Sequence, residues 1–170
     1  MALELRRLRR EDDRSDFHSG NVELDRFLAR YAAQNQFRHH IGTTYVAVEA
    51  GRIHGYLTLA AAEVEISGLL KKQTKGLRSY PLPALRIARL AVDDRLQGRG
   101  IGRSLLKLGF EIAHELAAKV GCVGVVVDAK QEAVGFYSSY GFEPFELLQG
   151  ELGARPVPVS MFLSLGSIPR

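Results

Sequence analysis

Gly98, Gly100 and Gly102 fall in the stretch LQGRGIGRSLL, with Arg99 and Arg103 beside them. Glycine lets backbone N–H groups approach a ligand with no Cβ in the way, and a following helix aims its positive end at the same place. The chemistry this pattern suits is binding of a phosphorylated anion, with Arg99 and Arg103 adding charge-assisted contacts. Two phosphate-binding patterns fail on the residues. The dinucleotide fingerprint G-x-G-x-x-G needs a third glycine where this chain has Arg103 or Leu105. The nucleotide P-loop needs glycine at Gln97 and lysine at Arg103, so no lysine is placed to reach a γ-phosphate. A third pattern, [QR]-x-x-G-x-[GA], is filled by Gln97, Gly100 and Gly102, with Ile101 between the glycines.

Other reactive residue types point nowhere comparable. The single cysteine, Cys122, precedes VGVVV and reads as a buried core thiol, and it excludes a cysteine zinc site. The five histidines show no metal-ligand spacing, so no metal is expected. The net charge of +4 and pI of about 9.4 suit a polyanionic ligand such as RNA or a phosphorylated cofactor. The basic residues cluster at Arg6, Arg7, Arg9 and Arg10, at Lys71, Lys72, Lys75 and Arg78, and at Arg95, Arg99 and Arg103. Solvated surface is the plain alternative for each cluster. Tyr80 is the only aromatic beside the 71–78 run, thin provision for stacking unpaired bases.

The elements that would position the glycines can be read along the chain. Residues 3–8 alternate as a short strand. A helix is expected over 19–36, capped by Ser19 or Asn21, with Leu24, Phe27, Leu28, Tyr31 and Ala32 as its apolar stripe. Two β-rich runs flank Glu49-Ala50-Gly51-Arg52, a hairpin signal. Residues 67–84 form a polar, basic connection that Pro81 and Pro83 keep extended. A strand over 85–92 leads into the glycine turn, and a helix over 103–120 follows it. CVGVVVD reads as a strand buried on both faces, AKQEAVGFYSSYGF as a short helix closing on Gly141, and PVPVSMFLSL as a last strand. The order β-α-β-β-β-α-β-α-β-β predicts one α/β domain over 1–170 with a mixed sheet. No apolar stretch approaches the roughly 20 residues of a membrane span, and MALELRRLRREDD lacks the apolar core of a secretory signal. A cytoplasmic location is the default expectation.

With the third pattern set between such a strand and helix, the chain resembles the GCN5-related N-acetyltransferases (GNAT). AVGFYSSYGFE, some 35 residues later, is similar to the family's second signature. The resemblance implies an acyl-CoA N-acyltransferase fold, with a mixed central sheet and flanking helices. It implies that the turn from Gln97 through Gly98, Arg99, Gly100, Ile101 and Gly102 to Arg103 cradles the pyrophosphate of acetyl-CoA. Main-chain groups of Leu90, Ala91 and Val92 would meet the pantetheine arm and polarise the thioester carbonyl, as an oxyanion hole does. Tyr137 would be the general acid that protonates the departing thiolate, with Tyr140 as a fallback. Acetyl-CoA is the implied cosubstrate, and no metal is implied.

FHSGNVELDRFLARYAAQNQ, TTYVAVEAGRIHGYLTL, YPLPALRIARLAVDDRLQGRGIGRSLL and VVVDAKQEAVGFYSSYGF together are similar to the toxin branch of this family. That similarity implies acetylation of the α-amino group of aminoacyl-tRNA, a block on translation, and silencing by a small ribbon-helix-helix antitoxin. Members of the family often dimerise, which implies a homodimer. An α-amino group titrates near 7.7–8.0 against about 10.4 for lysine, so this acceptor needs little help from a base. Glu63 and Glu65, acting through a water, are the candidates if one is used; a solvated strand edge is the alternative. Lys71, Lys72, Lys75 and Arg78 are candidate RNA contacts, and Arg89, more than Arg86, a candidate substrate or cofactor contact. Acetylation of a small amine or a protein N-terminus, and a non-catalytic acyl-CoA-binding regulator, are the competing readings.

Overall fold

The computed structural model describes residues 2–65, 81–145 and 158–169, which leaves Lys71, Lys72, Lys75, Arg78 and Tyr80 outside the described residues. The order is β1 (Glu4–Arg7), α1 (Val22–Arg26), β2 (Thr43–Glu49), β3 (Arg52–Val64), β4 (Leu82–Val92), α2 (Ile101–Lys119), β5 (Gly124–Ala129), α3 (Val134–Ser138), β6 (Glu143–Pro144) and β7 (Val159–Ser164). That is the order read from the sequence. The strands form a mixed sheet in the order β1-β2-β3-β4-β5-β7-β6, the expected α/β class. No helix among the described residues is long and apolar enough to cross a membrane.

The chain divides into two compact units, Met1–Ala60 with Ile87–Phe110, and Ala61–Arg86 with Glu111–Arg170. In the first, β1, β2 and β3 pair antiparallel, and Glu49 faces Arg52 across a two-residue turn. Ala50 and Gly51 both have positive φ, 52° and 76°, which matches the twist a two-residue hairpin needs. Asn21 caps α1 by accepting the Leu24 N–H at 3.0 Å. Tyr56, fully buried, lies edge-on to Phe17 and stacked near Phe27, and its hydroxyl donates to the Leu24 carbonyl at 2.6 Å. A buried side chain of this size contributes about 1.5–3 kcal/mol of hydrophobic stabilisation, so this cluster fastens the first helical segment to the sheet.

The expected helical stripe is corrected at Tyr31, which is 46% exposed. The segment 27–31 is π-helical, and the Ala32 N–H bonds the Phe27 carbonyl five residues back. The wider turn moves burial to Phe27, Leu28, Ala32 and Gln36 and leaves Tyr31 outside.

In the second unit β5 and β7 pair antiparallel, with β6 on the far side of β7. Val126, Phe162, Leu82, Ala84 and Val64 form its core. β4 starts at Leu82, three residues before the expected position. Leu82 and Ala84 are buried while Pro83 faces out, and the Pro83 carbonyl accepts the Val123 N–H at 2.9 Å. A proline can stand in a strand where its missing N–H is not called on. Cys122 is buried as expected; its thiol donates to the Gly124 carbonyl, and burial raises its pKa.

Candidate active site

The glycine turn follows β4 directly. Gly98 and Gly100 have φ of +82° and +81°, a region L residues rarely adopt, and a Cβ added at either would meet nothing within 4 Å. The two positions are thus glycine for backbone reasons and open to a ligand. Gly102 differs from the sequence expectation. Helix α2 begins at Ile101 rather than Arg103, because the Ser104 N–H already bonds the Gly100 carbonyl at 3.0 Å. Gly102 lies in the first helical turn, where the N–H groups of Ile101, Gly102 and Arg103 have no acceptor within the helix. No acidic residue occupies that turn. Arg99 and Arg103 are exposed beside it. Free amides, a helix N-terminus, two cations and two open glycines fit a diphosphate.

The strand end that feeds this turn is fastened by a residue sequence reasoning missed. Asp93 is 1% exposed, and its carboxylate accepts from the Arg95 backbone N–H at 3.0 Å, from Arg95 Nε at 2.9 Å and from Arg95 Nη2 at 2.8 Å. The Arg95 guanidinium beside it holds the Asp93 carboxyl far below the usual carboxylate range. The Asp93 N–H donates to the His54 carbonyl at 2.9 Å. His54 lies where the β2–β3 register slips, with Ala47 opposite Gly55 and Val48 opposite Ile53, so no β2 residue stands opposite it in the ladder. Residue 18 completes the latch: the Asp94 N–H bonds the His18 carbonyl, and His18 Nδ1 meets Asp94 Oδ2 at 2.9 Å. The legible signal was an acid at the strand end with an arginine two residues on.

Gly55 explains how tightly this corner is packed. A Cβ there would come within 3.0 Å of both the Ala91 carbonyl and Ile101 Cγ2. Ala91 is buried, Leu90 and Val92 half-buried, and Gln97 Nε2 lies 3.5 Å from the Val92 carbonyl.

Arg95, Arg89 and Arg86 each have a partner within the protein. Arg95 is engaged by Asp93, so its head group is not a free member of the basic cluster. The Arg89 guanidinium lies 3.7 Å from the Phe27 ring centroid, a cation–π contact. Arg86 pairs with Asp128 at 2.9 Å in the second unit. Glu63 and Glu65 are both exposed.

Tyr137 belongs to the second unit, on α3. It is 5% exposed, edge-on to Phe136 and Phe142, and burial pushes its phenol well above the ordinary tyrosine value. The turn after it closes through Tyr140 and Phe142 N–H groups bonding its carbonyl, with Gly141 at φ +98°. Tyr140 is half-buried, edge-on to Phe136. No group of three metal-ligating side chains occurs among the described residues.

Comparison with known proteins decides the family, since the Acetyltransferase (GNAT) domain matches residues 15–163. The chain belongs to the GNAT acetyltransferase family. The acetyltransferase is 31% identical over 139 residues to a Mycobacterium tuberculosis protein named tRNA-acetylating toxin, across 81% of this chain and 82% of that relative. The solved structure of AtaT complexed with acetyl-methionyl-tRNAfMet matches with a TM-score of 0.84 at 26% identity, covering 98% of the acetyltransferase and 97% of that chain. AtaTR bound with AcCoA matches with a TM-score of 0.78 at 29% identity, covering 98% and 95%.

Proposed function

We propose that this chain transfers the acetyl group of acetyl-CoA to the α-amino group of aminoacyl-tRNA and so blocks translation. The observation that carries this reading is its similarity, along most of its length, to the relative named tRNA-acetylating toxin. When bound, acetyl-CoA supplies an activated acetyl thioester. The N–H groups of the 97–103 turn hold its diphosphate, with Arg99 and Arg103 adding charge. Main-chain groups of Leu90, Ala91 and Val92 align the acyl arm and polarise its carbonyl. The acceptor amine is substantially neutral near its pKa of about 8 and attacks without a strong base. Tyr137 keeps the proton on Oη through the physiological range and donates it to the leaving sulfur, and the proton the nitrogen sheds on becoming an amide restores the phenol through solvent.

This reading includes a single catalytic domain over 1–170, a homodimer, a ribbon-helix-helix antitoxin partner and a cytoplasmic location. The family match across 15–163 supports the first of these. Labelled acetyl-CoA, purified protein and a pool of charged tRNA test the reaction, with nuclease digestion to separate acetylated aminoacyl-adenosines. Label on one or a few aminoacyl-adenosines is the expected result. Tight acetyl-CoA binding with no labelled aminoacyl-adenosine would overturn the reading and direct the search to small amines and protein N-termini.

A further inference from the structure

A second basic surface lies in the first unit, away from the glycine turn. Arg6, Arg7, Arg9, Arg10 and Phe37, with Leu8 and Glu11, line a concavity of about 520 Å³. Arg6 is neutralised there by Asp12, at 2.7 Å. No carboxylate among the described residues forms an ion pair with Arg7, Arg9 or Arg10, and all three are exposed. Three guanidiniums with no ion-pair partner among the described residues thus surround one concavity, with Glu11 in its lining and Asp12 beside Arg9.

These side chains are mounted on a braced turn. Leu8, between Arg7 and Arg9, donates its N–H to the Thr44 carbonyl at 2.8 Å. Its own carbonyl accepts from Gln36 Nε2 at 3.1 Å, and Gln36 Oε1 accepts the Thr44 N–H at 2.8 Å. Gln36 is 4% exposed, so a buried amide cross-links the arginine turn, β2 and a second π-helical segment, Gln34–His39. Asp12 closes the far side by accepting the Arg9 N–H at 2.7 Å. The Arg10 guanidinium lies 4.5 Å from the centroid of the Phe37 ring. A backbone fixed in this way presents its arginines at set spacing, which lowers the ordering cost of each contact.

The strand register separates this corner from the cofactor turn. Arg7 faces Tyr45 and Tyr45 faces Leu57, while Leu8 bonds Thr44, which faces Thr58. His54, which holds Asp93, is four residues back along β3. At about 3.3 Å per residue and about 4.8 Å per strand, four residues and the three strand steps from β1 to β4 put the arginine turn roughly 20 Å from Asp93, which precedes the glycine turn. A diphosphate bound at the glycine turn does not reach the arginine turn.

Resting on the aminoacyl-tRNA reading above, we propose that Arg7, Arg9 and Arg10, braced by Gln36 and backed by Phe37, form a phosphate-binding surface for the RNA body of the acceptor. Arginine's planar fork matches phosphate oxygens, and three such forks around one concavity fit a polyanion.

The test compares the wild type with a triple variant, Arg7→Gln, Arg9→Gln and Arg10→Gln, and with the matching triple lysine variant. Equilibrium binding to charged tRNA is measured from low to high salt, and acetyl-CoA binding and thermal melting are measured on the same preparations. Each phosphate contact steepens log K against log salt by about 0.7–0.9, so the glutamine variant should lose about 2–3 from the slope. Referred to about 1 M salt, three contacts represent on the order of 100-fold in affinity at about 0.15 M. Acetyl-CoA affinity should not change, and the lysine variant should recover most of the loss. A wild type that acetylates charged tRNA, with a glutamine variant of unchanged affinity and slope, overturns this surface alone. A wild type that neither binds nor acetylates charged tRNA overturns the reading beneath it, and this surface with it.

Discussion

Replacing Gly100 by alanine separates backbone strain from ligand contact, because the hairpin supplies a matched control. Gly100 and Gly51 have φ of +81° and +76°, and an added Cβ meets nothing within 4 Å at either. Holding alanine in this region costs about 1–2 kcal/mol, offset by about 0.4–1 kcal/mol from a stiffer unfolded chain. Both variants should therefore lose about 1 kcal/mol, a fall in Tm of about 2–4 °C for a chain of this length. Acetyl-CoA affinity should divide them. At Gly100 the methyl group projects into the open space beside the free amides of α2, and a hydrogen bond to a charged ligand contributes about 1.5–3 kcal/mol. Loss of one such bond raises Kd by about 10- to 150-fold. Gly51→Ala lies in the β2–β3 turn and should bind acetyl-CoA as the wild type does. Calorimetric titration with acetyl-CoA and thermal melts of both variants make the comparison. If Gly100→Ala binds acetyl-CoA within twofold of Gly51→Ala while both melt early, the turn is not the cradle.

Tyr137→Phe should fold and bind acetyl-CoA normally, yet lose about 10²–10⁴-fold in kcat, read by thiol release. Burial raises the Tyr137 pKa, so its proton is retained to high pH. The wild-type kcat/KM should climb as the acceptor amine deprotonates near pH 8 and show no alkaline fall below about 10; a fall centred near 9 would contradict the assignment. Asp93→Asn should lower stability at pH 7 by about 2 kcal/mol. Because the folded carboxyl pKa is depressed, this stabilisation is present above about pH 4 and is lost as pH falls through the folded value. The wild type should therefore destabilise more steeply in acid than the variant; parallel pH curves from denaturant melts would refute the latch.

Local chemistry made much of this protein legible in its sequence. The strand and helix order follows from side-chain periodicity, which each segment carries within itself. Gly51, Gly98 and Gly100 permit the positive φ they adopt, so the hairpin and the glycine turn could be located without a fold, whereas Gly102 in the same run lies inside α2. FYSSYGF likewise announces a short helix closing on Gly141. Tertiary structure decided what the charged residues do, because a guanidinium reads the same in sequence whether solvated or paired. Arg86 finds Asp128 forty-two positions away, and Arg89 finds the Phe27 ring across the first unit. Asp93 becomes a latch only when the β2–β3 slip brings the His54 carbonyl to its N–H. The two π-helical segments, which expose Tyr31 and bury Gln36, break the 3.6-residue period on which the stripe was read. Periodicity and turn chemistry are properties of neighbours along the chain, whereas a charge's partner is set by the packing of distant segments.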